Sequence, residues 1–336
     1  MNILVTGGAG YVGSHAVRAL VRAGHAVVVL DNLSSGHAAA VDPKARLVVG
    51  EMGDEILLDD LFSQSPFDAV MHFAAFIEVG ESVVDPLRFY DNNLGNTVRL
   101  LRAMQRHGIK RFVFSSTCAT YGVPQRMPIT EDTPQVPASP YARAKLAVEW
   151  ALADSAPAWG LGFVALRYFN AAGAAADATI GEDHDPESHL IPNVLKVALG
   201  QREHVKLFGT DYDTPDGTCI RDYVHVEDLA HAHVRAIEVV RPGERRFYNA
   251  GTGHGASVRE LVKVARAVSG HAIPVVEVAR RPGDVPILYA DSSLIRRELG
   301  WAPRREDLRD IVDSAWTWHR SHPRGFDDRP RAGEGA

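Results

Sequence analysis

Asn2-Ile3-Leu4-Val5-Thr6-Gly7-Gly8-Ala9-Gly10-Tyr11-Val12-Gly13 is the stretch whose reading decides the fold. An apolar run rich in strand formers ends in a cluster of glycines, and the chain after it, residues 11–23, carries no proline and reads as a helix. A strand that turns through glycines into a helix brings bare backbone close to whatever occupies the turn. The positive helix end then suits a pyrophosphate, with Gly7, Gly10 and Gly13 allowing the tight turn and Tyr11 and Val12 in the first helical turn. Such a cluster says little alone and a good deal when an acid follows roughly 20 residues on. Asp31 is that acid, at the end of the second strand candidate. A carboxylate there accepts hydrogen bonds from an adenosine ribose and repels a 2′-phosphate, so NAD is favoured over NADP. The blander role for Asp31 is to cap a turn.

Outward from this turn, short apolar runs alternate with helical stretches. Strand candidates are residues 2–6, 26–30, 46–49, 68–73, 111–115 and 162–167, with helices over 11–23, 55–62, 86–106 and 141–153. This rhythm predicts an α/β protein, a Rossmann-like doubly wound parallel sheet covered on both faces. The polar residues fall at one end of the strands: Thr6-Gly7, Asp31-Asn32, Glu51, Ala74-Ala75, Ser115-Ser116-Thr117 and Tyr168-Phe169-Asn170. In such a sheet those ends share one edge, so these segments converge on a single crevice. Glu51 and Met52 would frame an adenine there, although Met52 could equally be core.

After about residue 171 the rhythm breaks. Residues 174–188 read as a loop, 189–199 as a helix, 208–218 as a Gly/Asp-rich stretch, 226–240 and 257–268 as helices, and 247–249 as a short strand. The expected division is a dinucleotide-binding domain over 1–170 with returns near 222–250, and a smaller interleaved substrate domain over 171–321. The tail, 322–336, is rich in Gly, Pro, Arg and Asp and is expected to be mobile.

Chemistry enters at Ser139-Pro140-Tyr141-Ala142-Arg143-Ala144-Lys145. Ser139 suits an N-cap and Pro140 the first helical position, so Tyr141 and Lys145, spaced i and i+4, share one helix face. A free phenol, with a pKa of about 10, is a poor base, and a nearby ammonium would lower that value. With the hydroxyls of Ser115, Ser116 and Thr117, the pair makes a device for taking a proton from an alcohol.

The bulk numbers set limits. The 336 residues are 46% hydrophobic and 23% charged, with a net charge of −6, which argues against a nucleic acid or an anionic membrane surface as partner. No apolar run approaches the ~20 residues needed to span a bilayer. Met1 leads straight into the first strand, leaving no room for a secretory leader, and two cysteines, Cys118 and Cys219, make no disulfide framework. A cytoplasmic protein is expected. His225, His231 and His233 do not share a helix face, and His184 and His189 have acids nearby without a zinc-like spacing, so no metal is expected.

These motifs together resemble the UDP-glucose 4-epimerases, members of the extended short-chain dehydrogenase/reductases, over residues 1–323. The resemblance is carried by residues 6–13, Asp31-Asn32, HFAAFIEVGES from His72, Tyr90 to Asn93, SSTCATYG from Ser115, 139–145, RYFNAAG from Arg167, FGTDYDTPDGTCIRDYVHVEDLA from Phe208, and RRPGD from Arg280. It implies NAD as cofactor, a UDP-hexose as substrate, and inversion at C4 through a transient 4-keto sugar. Tyr141 would be the base, with Lys145 and Thr117 assisting. Phe73, Ala74, Ala75, Asn92, Ser115 and Tyr168 would line the cofactor beside the glycine turn, Asn32 and Glu51. Asn170, His189 and Leu190 would bind the nucleotide sugar, Phe208 would pack on the uracil, Arg221 and Arg281 would hold the diphosphate, and Asp284 the uridine ribose. A planar guanidinium suits that anchoring because it grips phosphate oxygens bidentately.

Departures from the family pattern are Ile77, where some members carry Lys, Glu51 in place of Asp, and His189 in place of Asn. Leu288 is intermediate at a position that is large and aromatic in members restricted to glucose and galactose and small in those accepting N-acetyl sugars. The resemblance also implies a homodimer, with the helices of 86–106 and 141–153 as candidates for its interface. A 4,6-dehydratase would need an acid/base pair after the active hydroxyl, and Cys118 and Ala119 stand there instead. Decarboxylases and uronate epimerases are neither indicated nor excluded. A silent binding protein is disfavoured by the intact Thr117, Tyr141 and Lys145.

Overall fold

Burial on both faces is what makes the first strands apolar throughout. β1 (Asn2–Thr6) is buried from Ile3 onward because β2 (Ala26–Asp31) and β4 (Ala69–His72) flank it in parallel and helices cover both sides. The structure, a computed structural model, describes residues 1–281 and 284–328. β3 (Arg46–Val49) pairs with β2, β5 (Arg111–Thr117) with β4, and β6 (Gly162–Tyr168) with β5. Between them run α1 (Tyr11–Arg22) and α2 (Glu55–Gln64), the latter started by Asp54, whose carboxylate accepts from the amides of Ile56 and Leu57.

The single helix expected over 86–106 is one helical path with a wide turn in its middle. After α3 (Val79–Val84), α4 (Pro86–Phe89) runs through a π-helical turn, Tyr90–Gly95, into α5 (Asn96–Arg106). Asn93 lies in that turn, and its side chain accepts from the amide of Phe76 (2.8 Å) and donates to its carbonyl (2.9 Å). The helical path thereby pins the segment that follows β4. α6 (Pro140–Trp159) starts as the sequence predicts, with the Ser139 hydroxyl accepting from Ala142 N at 3.2 Å, but runs longer than expected and stops at Gly160 in the left-handed region (φ +79°).

Beyond β6 come β7 (Asn170–Ala172), α7 (Leu190–Ala198), β8 (Val205–Phe208), β9 (Ile220–Arg221), β10 (Tyr223–His225) and α8 (Val226–Val239). β11 (Arg245–Ala250) then returns to the first sheet beside β6, longer than the expected 247–249. The sheet is thus seven-stranded and wholly parallel, in the order β11-β6-β5-β4-β1-β2-β3. The rest is β12 (Ala256–Ser257), α9 (Val258–Ser269), β13 (Val275–Val278), β14 (Ile287–Leu288), α10 (Ser293–Leu299) and α11 (Leu308–Ser321). These late strands form small sheets, β10 with β7, β13 with β8, and β9 between β12 and β14.

One face of the large sheet packs Val17, Leu20, Leu229, Ile237 and Trp301, and the other Leu61, Phe62, Leu100, Met104 and Leu152. α7, α9 and α11 share a separate core around Leu195, Leu261, Val312 and Trp316. No helix among the described residues is long and apolar enough to cross a membrane.

Residues 322–328, the start of the tail, make specific contacts with the rest of the chain. The His322 ring stacks on Trp318 at 3.8 Å, Phe326 packs against both Trp318 and His37, and Asp328 takes a 2.6 Å bond from His37. Residues 329–336 lie outside the described residues.

A buried ion pair ties α6 to the sheet. Arg167, on β6, meets both carboxylate oxygens of Glu149 (3.0 and 2.7 Å), and Glu149 also accepts from Ser116 on β5 (2.6 Å). Both charged side chains are almost wholly buried. Removing one partner strands the other, which costs about 3–5 kcal/mol. Glu149→Leu is therefore expected to lower the urea-unfolding free energy by about that amount, with Glu149→Gln costing less because it keeps hydrogen bonds to Arg167. A loss under about 1 kcal/mol for the Leu variant would mean that Arg167 reaches water instead.

Candidate active site

The sheet order changes direction between β1 and β4, and in a doubly wound sheet the crevice opens at such a point. Gly7 (φ +73°) ends β1 there. A Cβ on it would lie 2.4 Å from Ala74 N, so only glycine lets the two strand ends approach. Gly13 is equally constrained, since its Cβ would lie 2.1 Å from the Gly7 carbonyl oxygen. α1 begins at Gly10 with no side-chain cap and no acid in its first turn. Its leading amides are left for an anion, which fits the pyrophosphate of a dinucleotide.

Asp31 takes the turn-capping role: its carboxylate accepts from Ala9 N (3.0 Å) and Leu33 N (2.9 Å), which locks the glycine turn to the end of β2. Asn32 donates to Glu51 (2.9 Å), holding two of the expected adenine-side residues together. Met52 packs in the core with Leu58 and Leu100. Phe73 and Ala74 both donate their amides to the Thr6 carbonyl, and the Phe73 ring packs on His233. Asn92 donates to Asn93 in the π-helical turn, and the Tyr11 hydroxyl donates to the Gly173 carbonyl (2.6 Å). Burial pushes the Tyr11 phenol well above its usual range.

The three hydroxyls at the end of β5 take separate partners. Ser115 shares a 2.7 Å hydrogen bond with the Tyr168 hydroxyl, and Ser116 goes to Glu149. Thr117, the last of them, accepts from Ala119 N and faces Tyr141. Lys145 donates to the Ser115 carbonyl at 2.9 Å, with its Nζ 4.9 Å from the centre of the Phe114 ring. One strand end therefore gathers Thr117, Tyr141 and Lys145.

The electrostatics correct the expectation for the phenol. Burial is the largest influence on Tyr141 and raises its pKa well above the usual value. Tyr168 adds to the rise, the Thr117 hydroxyl opposes it, and Cys118 and Glu78 add further. Burial also lowers Lys145 to about 7, against the pull of Glu149. Each group is pressed toward its neutral form, because the site withholds water from both. Burial likewise raises the Cys118 thiol to about 12, which rules against a nucleophile, while Arg221 lies close enough to oppose that rise.

Arg221 thus links the hydroxyl group to a second cluster. Its Nη2 is 3.9 Å from Asp284, and Arg281 meets the same carboxylate at 3.0 and 3.3 Å. The Arg281 guanidinium also sits 4.7 Å from the centre of the Phe208 ring. Two cations, an aromatic ring and an acid from distant parts of the chain are brought together. Leu288 packs on the cluster of Tyr121, Ile129, Phe169 and Ala290, against which Cys118, next in the chain to Thr117, also packs. Asn170 donates its side-chain amide to the Asp222 carbonyl. Leu190 packs in the core shared by α7, α9 and α11, and His189 turns its Nδ1 to Glu182 (2.8 Å).

Positioning residues escaped the sequence reading. Asp222 is one: it accepts from Thr252 N, Gly253 N and Ala290 N, clamping two segments beside Arg221. Its only sequence signal is its place after Arg221. Glu182, His184, Glu187 and His189 also converge, their ligating atoms within 4.8 Å of one another, where the sequence showed only scattered acids and histidines.

The family model described as the NAD dependent epimerase/dehydratase family matches residues 3–251. A UDP-glucose 4-epimerase of Lacticaseibacillus casei is 51% identical over 330 residues, 98% of this chain and all of its own. The structure of UDP-glucose 4-epimerase from Brucella ovis in complex with NAD is 48% identical, with a TM-score of 0.90 over 94% of this chain and 97% of that one. The enzyme from Bifidobacterium longum in complex with NAD+ and UDP is 40% identical, with a TM-score of 0.93 over 97% of this chain and all of that one.

Lys145 makes a pH prediction. Its folded value of about 7 lies below its ordinary 10.5, so between these pH values the unfolded chain binds more protons and stability rises with pH. At and below pH 7 the fold bears the cost of a buried ammonium, and that cost fades toward pH 10. Lys145→Met removes the titration. Urea unfolding of cofactor-free protein should therefore show the wild type gaining on the variant from pH 7 to pH 10. A constant difference would mean that Lys145 stays charged throughout.

Proposed function

The chain belongs to the NAD dependent epimerase/dehydratase family and, within it, to the UDP-glucose 4-epimerases, and from that membership we propose that it inverts C4 of UDP-glucose and UDP-galactose, with Tyr141, Lys145 and Thr117 carrying the proton chemistry. The observation that carries this reading is the gathering of Thr117, Tyr141 and Lys145 at the end of β5, next to Arg221 by way of Cys118. A proton-transfer group and a diphosphate anchor share one crevice, beside a helix end fit for a dinucleotide.

NAD, when bound, supplies the two-electron acceptor and donor that lets C4 pass through a ketone and return on either face. The glycine turn with Asp31 would hold its adenosine and pyrophosphate, and Phe73, Ala74, Ala75, Asn92, Ser115 and Tyr168 would line the remainder. Tyr141, as its phenolate, would take the proton from the sugar 4-hydroxyl and give it back when the alcohol re-forms, with Thr117 bound to the same oxygen. Lys145, lowered to about 7 by burial, would as the ammonium favour that phenolate before the proton is taken.

Arg221 and Arg281 are proposed to exchange Asp284 for the substrate diphosphate, which keeps the nucleotide anchored while the sugar turns. Phe208 would stack on the uracil, Asp284 would turn to the uridine ribose, and Asn170, His189 and Leu190 would contribute to the nucleotide-sugar side. In this reading residues 1–170 with 222–250 hold the dinucleotide and 171–321 mainly hold the nucleotide sugar. A second copy of the chain would cover the apolar side chains left exposed on neighbouring helices, Val83, Val84 and Leu87 with Trp150. Light scattering at the mass of two chains tests that pairing.

Purified protein given UDP-glucose or UDP-galactose, with no NAD or metal added, is expected to produce an equilibrium mixture of the two. UDP-N-acetylglucosamine in parallel reads how much room Leu288 leaves. Failure to convert any of them after NAD is supplied would overturn this substrate class. Tyr141→Phe should cut kcat by about 10²–10⁴-fold while UDP affinity holds. Normal turnover in that variant would sink the assignment of the base.

A further inference from the structure

The loop between β7 and α7 carries Glu182-Asp183-His184-Asp185-Pro186-Glu187-Ser188-His189, and the proposed reaction uses only the last of these. The loop has no regular secondary structure, yet it buries two carboxylates. The side chain of Glu182 is 4% exposed and that of Glu187 1%. Two buried anions side by side are costly unless a cation joins them.

Two imidazoles meet them. His184 Nδ1 lies 3.4 Å from Glu182 Oε1 and 3.9 Å from Glu187 Oε1, while His189 Nδ1 lies 2.8 and 3.5 Å from the same atoms. These spacings bracket the edge of a tetrahedron, about 3.3–3.4 Å, whose centre lies ~2.0–2.1 Å from oxygen and nitrogen ligands.

Hydrogen bonding leaves the cluster incomplete. Glu182 Oε1, His184 Nδ1 and Glu187 Oε2 are buried and have no hydrogen-bond partner. Glu182 Oε1 lacks one despite its 2.8 Å approach to His189, because the alignment is wrong for a donated proton. Ligating atoms that converge on one point suit a third atom between them.

We propose that Glu182, His184, Glu187 and His189 form a structural divalent-cation site of the zinc type. Two nitrogens and two carboxylate oxygens in a four-coordinate set favour zinc over magnesium or calcium, which take six or more oxygens. The supporting contacts are of the kind that orient ligands. His189 N donates to Glu187 Oε1 at 2.9 Å, and Trp318 on α11 donates to the Glu182 carbonyl at 3.3 Å. The His184 ring also packs edge-on against Tyr11, in the first turn of α1. A cation here would staple the loop, the start of α7 and the neighbourhood of the glycine turn together. His189 alone is shared with the proposed nucleotide-sugar side, and because the test reads metal content rather than turnover, this proposal stands whether or not the substrate assignment does.

The test is metal content, read independently of turnover. Full-length protein, dialysed against metal-free buffer, should retain about one zinc per chain by plasma mass spectrometry. A strong chelator should remove the metal and lower Tm, and added zinc should restore both, as expected of a ligand that binds only the folded state. His184→Asn and Glu187→Gln should each lose the zinc and the chelator sensitivity. Should either variant fold poorly, cobalt exchanged into the wild type should give the visible absorption of a four-coordinate nitrogen/oxygen site. No retained zinc and no Tm shift on adding it would overturn the proposal in favour of two histidine–glutamate ion pairs. Zinc that persists in both variants would overturn it in favour of other histidines.

Discussion

Everything in the crevice depends on how closely the ends of β1 and β4 approach. The Gly7 position tolerates no side chain because Ala74 N would lie 2.4 Å from a Cβ. That contact fixes the glycine turn against the segment after β4, which Asn93 holds from the π-helical turn through both polar groups of Phe76. Asp31 secures the other side of the turn by accepting from Ala9 N. The floor of the site is thus a set of backbone contacts, each needing a small residue or a buried side-chain hydrogen bond. Floors of this kind resist gradual change, because one added methyl group must move two strands.

Thr117, Tyr141 and Lys145 depend on that floor indirectly, through β5. The end of β5 offers three hydroxyls, and their neighbours divide them. Ser116 is spent on Glu149, which holds Arg167, so it anchors α6 to the sheet. Ser115 faces Tyr168, while its carbonyl receives Lys145. Thr117 lies beside Tyr141. The same strand end positions α6 and holds Thr117, the hydroxyl proposed to react, which would couple helix docking to catalytic geometry. A shift of α6 would move Tyr141 and Lys145 as one body, since both lie on its first two turns.

Burial sets the electrostatics of that body. It raises the phenol and lowers the ammonium, so both lean toward neutrality. The i, i+4 spacing correctly put both side chains on one face, but it could not say how little water would reach them. The hydrogen bond from Lys145 to Ser115 O and its approach to the Phe114 ring favour the charged amine, and burial opposes them. Near-balance leaves Lys145 responsive at neutral pH to any charge that appears beside it. A fully solvated lysine would be locked in the charged state and would respond far less.

What could be read from the sequence was what repeats or punctuates locally. The glycine turn, the Ser139 cap with Pro140, and the apolar strands carry their structure within a few residues, and each stands where periodicity predicts. What could not be read depends on distant partners. The π-helical turn at Tyr90–Gly95 has ordinary helix formers around it, and its purpose lies in Phe76. Residues 322–328 have the composition of a loose end, yet Phe326 and Asp328 reach back to His37. The cluster at 182–189 is the sharpest case. Its histidines have acids nearby without a zinc-like spacing, and the chain there is a loop, in which neighbours two, three and five positions apart can all face one point. A loop with buried carboxylates cannot draw enough stability from apolar area, so its order has to come from charge and coordination. That is why this segment, the least regular near the crevice, carries the most demanding polar geometry.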